Sequence, residues 1–91
     1  MINTIKVKIK GKKYLLKDHA FRAMFLFEEM TGKSIVDIKL LKDQVTYMYC
    51  LFKASNEEFD YTFDEFLDIL EDDVQLFTDF VSHISKKKLM I

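Results

Sequence analysis

The chain reads as an α+β domain that is mainly α, with an N-terminal β-hairpin packed on a small bundle of about four helices. Three observations predict it. Ile5, Val7 and Ile9 alternate with Lys6, Lys8 and Lys10, the period of a strand with one buried face. From Ala20 onward, apolar residues recur at helical spacing. The composition, 49% hydrophobic with nine Phe, four Tyr, no Pro and two Gly, leaves few points at which a helix must break. A length of 91 residues allows one domain with one core, and no linker or internal repeat divides it.

The hairpin occupies residues 1–17. Gly11-Lys12 is read as a type II′ loop, which places Ile9 opposite Tyr14 and Val7 opposite Leu16. A lone hairpin is marginal in water, so its apolar face is expected to lie on helices. Asp18 is the candidate N-cap of a helix over 18–31, ended by Gly32 as a left-handed residue. On a helical wheel Ala20, Ala23, Met24, Phe27 and Met30 fall on one side and are assigned to the core. Ser34, with Asp37 three residues on, opens a short turn that bends into a helix reaching residue 55. There Leu41, Val45, Met48 and Phe52 keep helical spacing.

Thr62 and Glu65 form a capping box for a helix over 62–71, with Phe63, Phe66, Leu67 and Leu70 as its stripe. Asp72 and Asp73 start the last helix, 73–86, where Val74, Phe77, Phe80, Val81 and Ile84 share one side. A short tail, 87–91, follows. The single Cys50 excludes an internal disulfide and, inside an apolar helical run, is expected to be a buried thiol.

The net charge of −1 conceals segregation. Residues 1–17 carry six lysines and no acid, whereas residues 57–85 carry ten acids and no Lys or Arg. Opposite ends should attract, within one chain or head to tail between chains; solvated faces are the alternative. No apolar run of signal-peptide or membrane-spanning length is present, so a cytoplasmic protein with no membrane partner is expected.

Catalysis finds little to work with. His19, His83 and Cys50 are not coupled by any local motif, and no glycine-rich phosphate loop exists, so no enzyme activity and no cofactor are expected. Asp64-Glu65-Phe66-Leu67-Asp68 resembles the entry to an EF-hand's exiting helix. With Glu65 as loop position twelve, however, Ala54 and Phe59 stand where a carboxylate and a glycine are required. Zinc fails on ligand number, and no metal site is assigned. The hairpin lysines lack interleaved Arg or aromatic residues, and the pI is about 6.1, which argues against nucleic acid and for a solvated strand face.

Protein binding remains. Tyr14-Leu15-Leu16 leading to Phe21-Arg22-Ala23-Met24, then Phe27-Glu28-Glu29-Met30-Thr31-Gly32-Lys33-Ser34-Ile35, resembles the front half of the small tail assembly chaperones of long-tailed, siphovirus-type bacteriophages. Leu51-Phe52-Lys53-Ala54-Ser55-Asn56 followed by Tyr61-Thr62-Phe63-Asp64-Glu65-Phe66-Leu67-Asp68 is similar to that family's second half. The resemblance spans most of the chain and its motifs are structural.

It implies a non-enzymatic role in a bacterial host cell. Such a chaperone binds the tape measure protein, helps recruit tail tube protein, and is absent from the mature virion. It also implies a longer form made by programmed frameshifting. Lys86-Lys87-Lys88 offers a place for ribosomal slippage, with a basic helix end as the simpler alternative.

Transient chaperoning needs apolar surface that is exposed or covered by self-association, so a homo-oligomer is a candidate state. Phe21, Phe25 and Leu26, with Glu28 and Glu29 beside them, are the candidate protein-binding residues. The alternative is that these aromatics pack on the hairpin or the last helices, as large apolar side chains usually do, and burial of this flank decides between the two. A small intracellular adaptor or regulatory protein with one protein partner, and a structural subunit retained in a particle, are the other functional classes left open.

Overall fold

The computed structural model describes the backbone of residues 4–17 and 21–87, and the side chains of 6–17 and 21–82. Strands β1 (Thr4–Ile9) and β2 (Lys12–Lys17) form an antiparallel hairpin. Helices α1 (Phe21–Thr31), α2 (Leu41–Ser55), α3 (Phe63–Asp72) and α4 (Val74–Lys87) follow, with a single 3₁₀ turn at Ile35–Asp37. The expected α+β, mainly α architecture is the one observed. Among the described residues no helix is long and apolar enough to cross a membrane.

The hairpin differs from expectation in its loop. Lys10 and Gly11 both have positive φ, 51° and 84°, the signature of a type I′ turn centred one residue earlier than Gly11-Lys12. Val7 therefore pairs with Tyr14, Ile5 with Leu16 and Ile9 with Lys12. The expected register would have set Lys10 against Lys13 and Lys6 against Lys17. The observed one leaves Lys8–Lys13 as its like-charge pair, and directly opposed like charges are destabilising. The slip is by two residues, so it preserves faces, and Ile9, Tyr14 and Leu16 remain buried.

Helix α2 is central. Its residues Thr46 to Phe52 are all buried, and it contacts α1, β2, α3 and α4. A helix enclosed all round needs its polar groups satisfied internally. The Thr46 hydroxyl donates to the Lys42 carbonyl at 2.8 Å, and the Tyr49 hydroxyl donates to the Tyr61 carbonyl at 2.7 Å. Leu41, expected to face inward, is instead 64% exposed as the first residue of the helix, more than a turn before the continuous buried run that starts at Thr46. Asp43 in its first turn is buried and accepts from Lys33 Nζ at 3.1 Å, which ties the exit of α1 to the entry of α2.

Phe59, in the loop after α2, joins the layers. Its ring lies 5.5 Å from Tyr14 of the hairpin, 5.0 Å from Phe52 and 5.9 Å from Tyr49 of α2, and 6.0 Å from Phe66 of α3. Asn56 ties the same region by hydrogen bonds. The Leu15 N–H donates to Asn56 Oδ1 at 3.1 Å, while Asn56 Nδ2 donates to the Leu15 carbonyl at 2.8 Å and to the Phe52 carbonyl at 3.1 Å. The Lys17 N–H donates to Ser55 Oγ at 3.3 Å. The C-terminus of α2 thus occupies the outer edge of β2, satisfying groups that an edge strand leaves open.

The helix ends follow their sequence signals where these are local. Gly32 has φ 74°, and its N–H donates to the Glu28 carbonyl at 2.8 Å. Ser34 Oγ accepts from the Val36 N–H, and the Thr62–Glu65 capping box closes in both directions. Asp73 separates α3 from α4, donating its N–H to the Ile69 and Leu70 carbonyls. The buried side of α4 is Leu76 and Phe80, with Phe77 and Val81 half-buried. Val74, expected there, is 64% exposed because it lies two positions before Leu76, about 160° round the helix axis from that buried side. Lys87, expected in the tail, is the last residue of α4; Asp18, Ala20, the Ile84 side chain and residues 88–91 lie outside the described residues, as do the side chains of Lys86 to Lys88.

Replacing Asn56 with Ala removes both bonds to Leu15, with an expected loss of about 1–2 kcal/mol. Urea unfolding should show it as a lower midpoint at unchanged slope.

Candidate protein-binding face

Helix α1 has eleven residues and two unlike sides. Ala23 and Phe27 are fully buried against the core, and the Phe27 ring meets Tyr47 edge-on at 6.0 Å. Positions two apart on a helix lie about 160° apart round its axis, so Phe21 and Phe25 point away from that core. They are 70% and 60% exposed. Their rings stack on each other with centroids 6.4 Å apart and planes 15° from parallel. This is a contact within the helix surface, and the hairpin and the last helices leave both rings uncovered.

The other candidate residues divide. Leu26 is half-buried against the core, while Glu28 and Glu29 are exposed beside the stacked pair. Met24 is half-buried, as its assignment to the core requires. Met30 is not a core residue: it is 43% exposed, and what it contributes inward is a sulfur contact with Cys50 at 3.8 Å. It sits at the edge of the seam between α1 and α2, reached there by Cys50.

Beside Phe21 runs a shallow groove of about 640 Å³, lined by Lys17, Phe21, Arg22, Lys53, Ala54, Ser55 and Glu57. It brings together the end of β2, the start of α1 and the end of α2. The cations Lys17 and Lys53 are far apart in sequence and carry no shared motif, so only the fold makes them neighbours of the exposed phenylalanines.

The charged ends of the chain approach each other within one molecule. Lys6 and Lys8 of β1 line a cleft of about 230 Å³ together with Asp73 and Asp79 of α4, over a floor that includes Val7, Leu76 and Phe80. Lys10 belongs to the turn and lies over the Tyr61 ring at 5.8 Å, and Lys12 over Tyr14 at 5.6 Å. These two lysines cover the aromatic cluster and are held away from the outer strand face.

Cys50 is fully buried, and burial pushes its thiol up to about 12. Burial likewise raises the Tyr14 and Tyr49 hydroxyls, with lesser contributions from neighbouring groups. Among the described residues no group of His, Cys, Asp or Glu could hold a metal ion. Phe59, at the position where an EF-hand needs an open glycine, is buried in the core. His19 and the side chain of His83 lie outside the described residues.

Two measurements check these assignments. Phe21→Ser and Phe25→Ser are expected to change stability by no more than about 0.5 kcal/mol, as exposed positions do. Phe27→Ala, on the inner side of the same helix, should cost about 3–5 kcal/mol by denaturant unfolding. Separately, a thiol reagent at pH 8 should label Cys50 only as fast as the chain unfolds. An unfolded chain ionises this thiol from about 9.0 upward while the folded one holds its proton to about 12. The unfolded state therefore binds fewer protons in that window, and stability should fall as pH rises through it. Cys50→Ala should remove that component of the slope.

No family model, curated protein or solved structure matches the chain, and the face on α1 is defined by its own geometry.

Proposed function

We propose that this protein is a non-enzymatic assembly chaperone of a long-tailed bacteriophage, acting in the cytoplasm of the bacterial host and leaving before the virion is complete. It binds apolar helical segments of the tape measure protein and helps bring tail tube protein to them. The observation that carries this reading is the stacked Phe21–Phe25 pair, exposed on the side of α1 opposite the core. Two phenyl rings in water contribute nothing to the fold, whereas large exposed apolar groups beside charged ones are what a protein-binding surface presents. The Glu-Glu-Met-Thr-Gly exit of the same helix carries part of the resemblance to the small tail assembly chaperones.

On this reading Phe21 and Phe25 supply the apolar contact, Leu26 supports it from the core side, and Glu28 and Glu29 form its polar margin. Client helices are held soluble by covering their apolar faces, and release needs no covalent chemistry. A longer form with a further domain would follow if the codons of Lys86-Lys87-Lys88 are a slippery site.

Co-expression with a tape measure fragment tests the proposal. The native chain should raise the soluble yield of the fragment and co-purify with it, and Phe25→Glu should lose both effects while keeping its helical content. Retention of the protein in mature particles would sink the chaperone reading. The coding DNA should hold a slippery heptamer near residue 86 with an open overlapping frame downstream. Without these, the longer form is excluded.

A further inference from the structure

The outer face of α1 has an order along its length. Arg22 stands near the N-terminal end, joined there by Lys17 and Lys53, which line the adjoining groove with Glu57. Phe21 opens the helix one residue before Arg22, Phe25 follows three residues after it, and Glu28 and Glu29 close the exposed face at the C-terminal end. Phe21, Phe25 and Glu29 lie on one i, i+4 row, with Arg22 and Glu28 flanking it. A cation beside Phe21, an apolar centre at Phe25 and two anions thus succeed one another on a single helix face.

Such a face is complementary to its own copy turned end for end. A twofold axis makes residue i of one chain meet residue j of the other and the reverse. Arg22 and Glu29 are about 10 Å apart along the helix, at 1.5 Å per residue, with Phe25 near the midpoint. Two α1 helices crossing antiparallel at Phe25 therefore bring Arg22 of each chain abreast of Glu28 and Glu29 of the other. The two Phe25 rings meet between the two charged pairs, and each Phe21 ring, stacked on its own Phe25, lies level with the other chain's Glu29. A parallel pairing would set Arg22 against Arg22. An acidic foreign helix would satisfy the basic end and leave Glu28 and Glu29 facing like charge.

We propose that two copies of this protein pair antiparallel through the outer faces of α1, with Phe25 of both chains at the centre, Phe21 stacked beside it, and Arg22 of each against Glu28 and Glu29 of the other. This dimer covers the same phenylalanines that the chaperone reading offers to a client. It is the client-free state, and a client displaces it. The pairing itself depends on the chain alone and stands whether or not a tape measure protein is the client.

Sedimentation velocity on the full chain and two charge variants tests the pairing without any client. The native chain should sediment as a dimer. Arg22→Glu, and separately the double variant Glu28→Arg/Glu29→Arg, should each weaken the dimer by about tenfold or more, since each sets like charges together twice. An equimolar mixture of the two variants should recover near-native affinity as a heterodimer, because every contact in it again joins opposite signs. Phe25→Ser should be monomeric without any charge change. Circular dichroism confirms that each variant is folded, and all four positions are exposed. A monomeric native chain, a larger assembly, charge variants that dimerise like the native chain, or a mixture of folded variants that does not recover would each overturn the proposal.

Discussion

Everything in this fold depends on enclosing α2. Seven consecutive residues, Thr46 to Phe52, are buried, so no single layer can cover the helix and neighbours must approach from several directions. The hairpin, α1, α3 and α4 each take a share. Phe59 fills the junction where the hairpin, α2 and α3 converge, and its edge-on contacts with Tyr14 and Tyr49 are the geometry aromatic rings prefer. The Asn56 amide then fixes the hairpin at one height along α2, through paired bonds to a single backbone position. Burial supplies the drive, and the amide supplies the register.

That enclosure explains why α1 has a face to spare. Covering α2 takes the Ala23 and Phe27 side of α1, and the described elements leave the Phe21 and Phe25 side exposed. Polar residues would keep the outer side solvated. Instead Phe21 and Phe25 stand there, stacked on each other and bordered by opposite charges at the two ends. A client helix and a second copy of the chain would compete for the same rings, so self-association would both protect the surface and set the threshold a client must exceed.

The charge segregation along the chain has a related division of labour. Lysines of the hairpin share a cleft with aspartates of α4, so the opposite charges of the two segments meet within one chain. Two other hairpin lysines lie over tyrosine rings. What the linear sequence presents as one basic block is therefore divided among several structural roles: Lys17, together with Lys53 of α2, borders the α1 face, and Lys13 stays on the exposed strand face.

The sequence by itself determined the element order, the capping of α3, the termination of α1 at Gly32, the turn at Ser34 and the burial of Cys50. Each of these depends on a period or on partners within about four residues, which a linear chain displays. The tertiary structure alone decided the hairpin register, the exposure of Leu41, Met30 and Val74, the burial of Leu76, and the roles of Asn56 and Phe59. Periodicity shows that a helix has an apolar side but not where along its length a neighbour stops covering it. The exposure of Phe21 and Phe25 belongs to the same class. Whether those rings are core or surface depends on which elements pack outside α1, and no local pattern carries that.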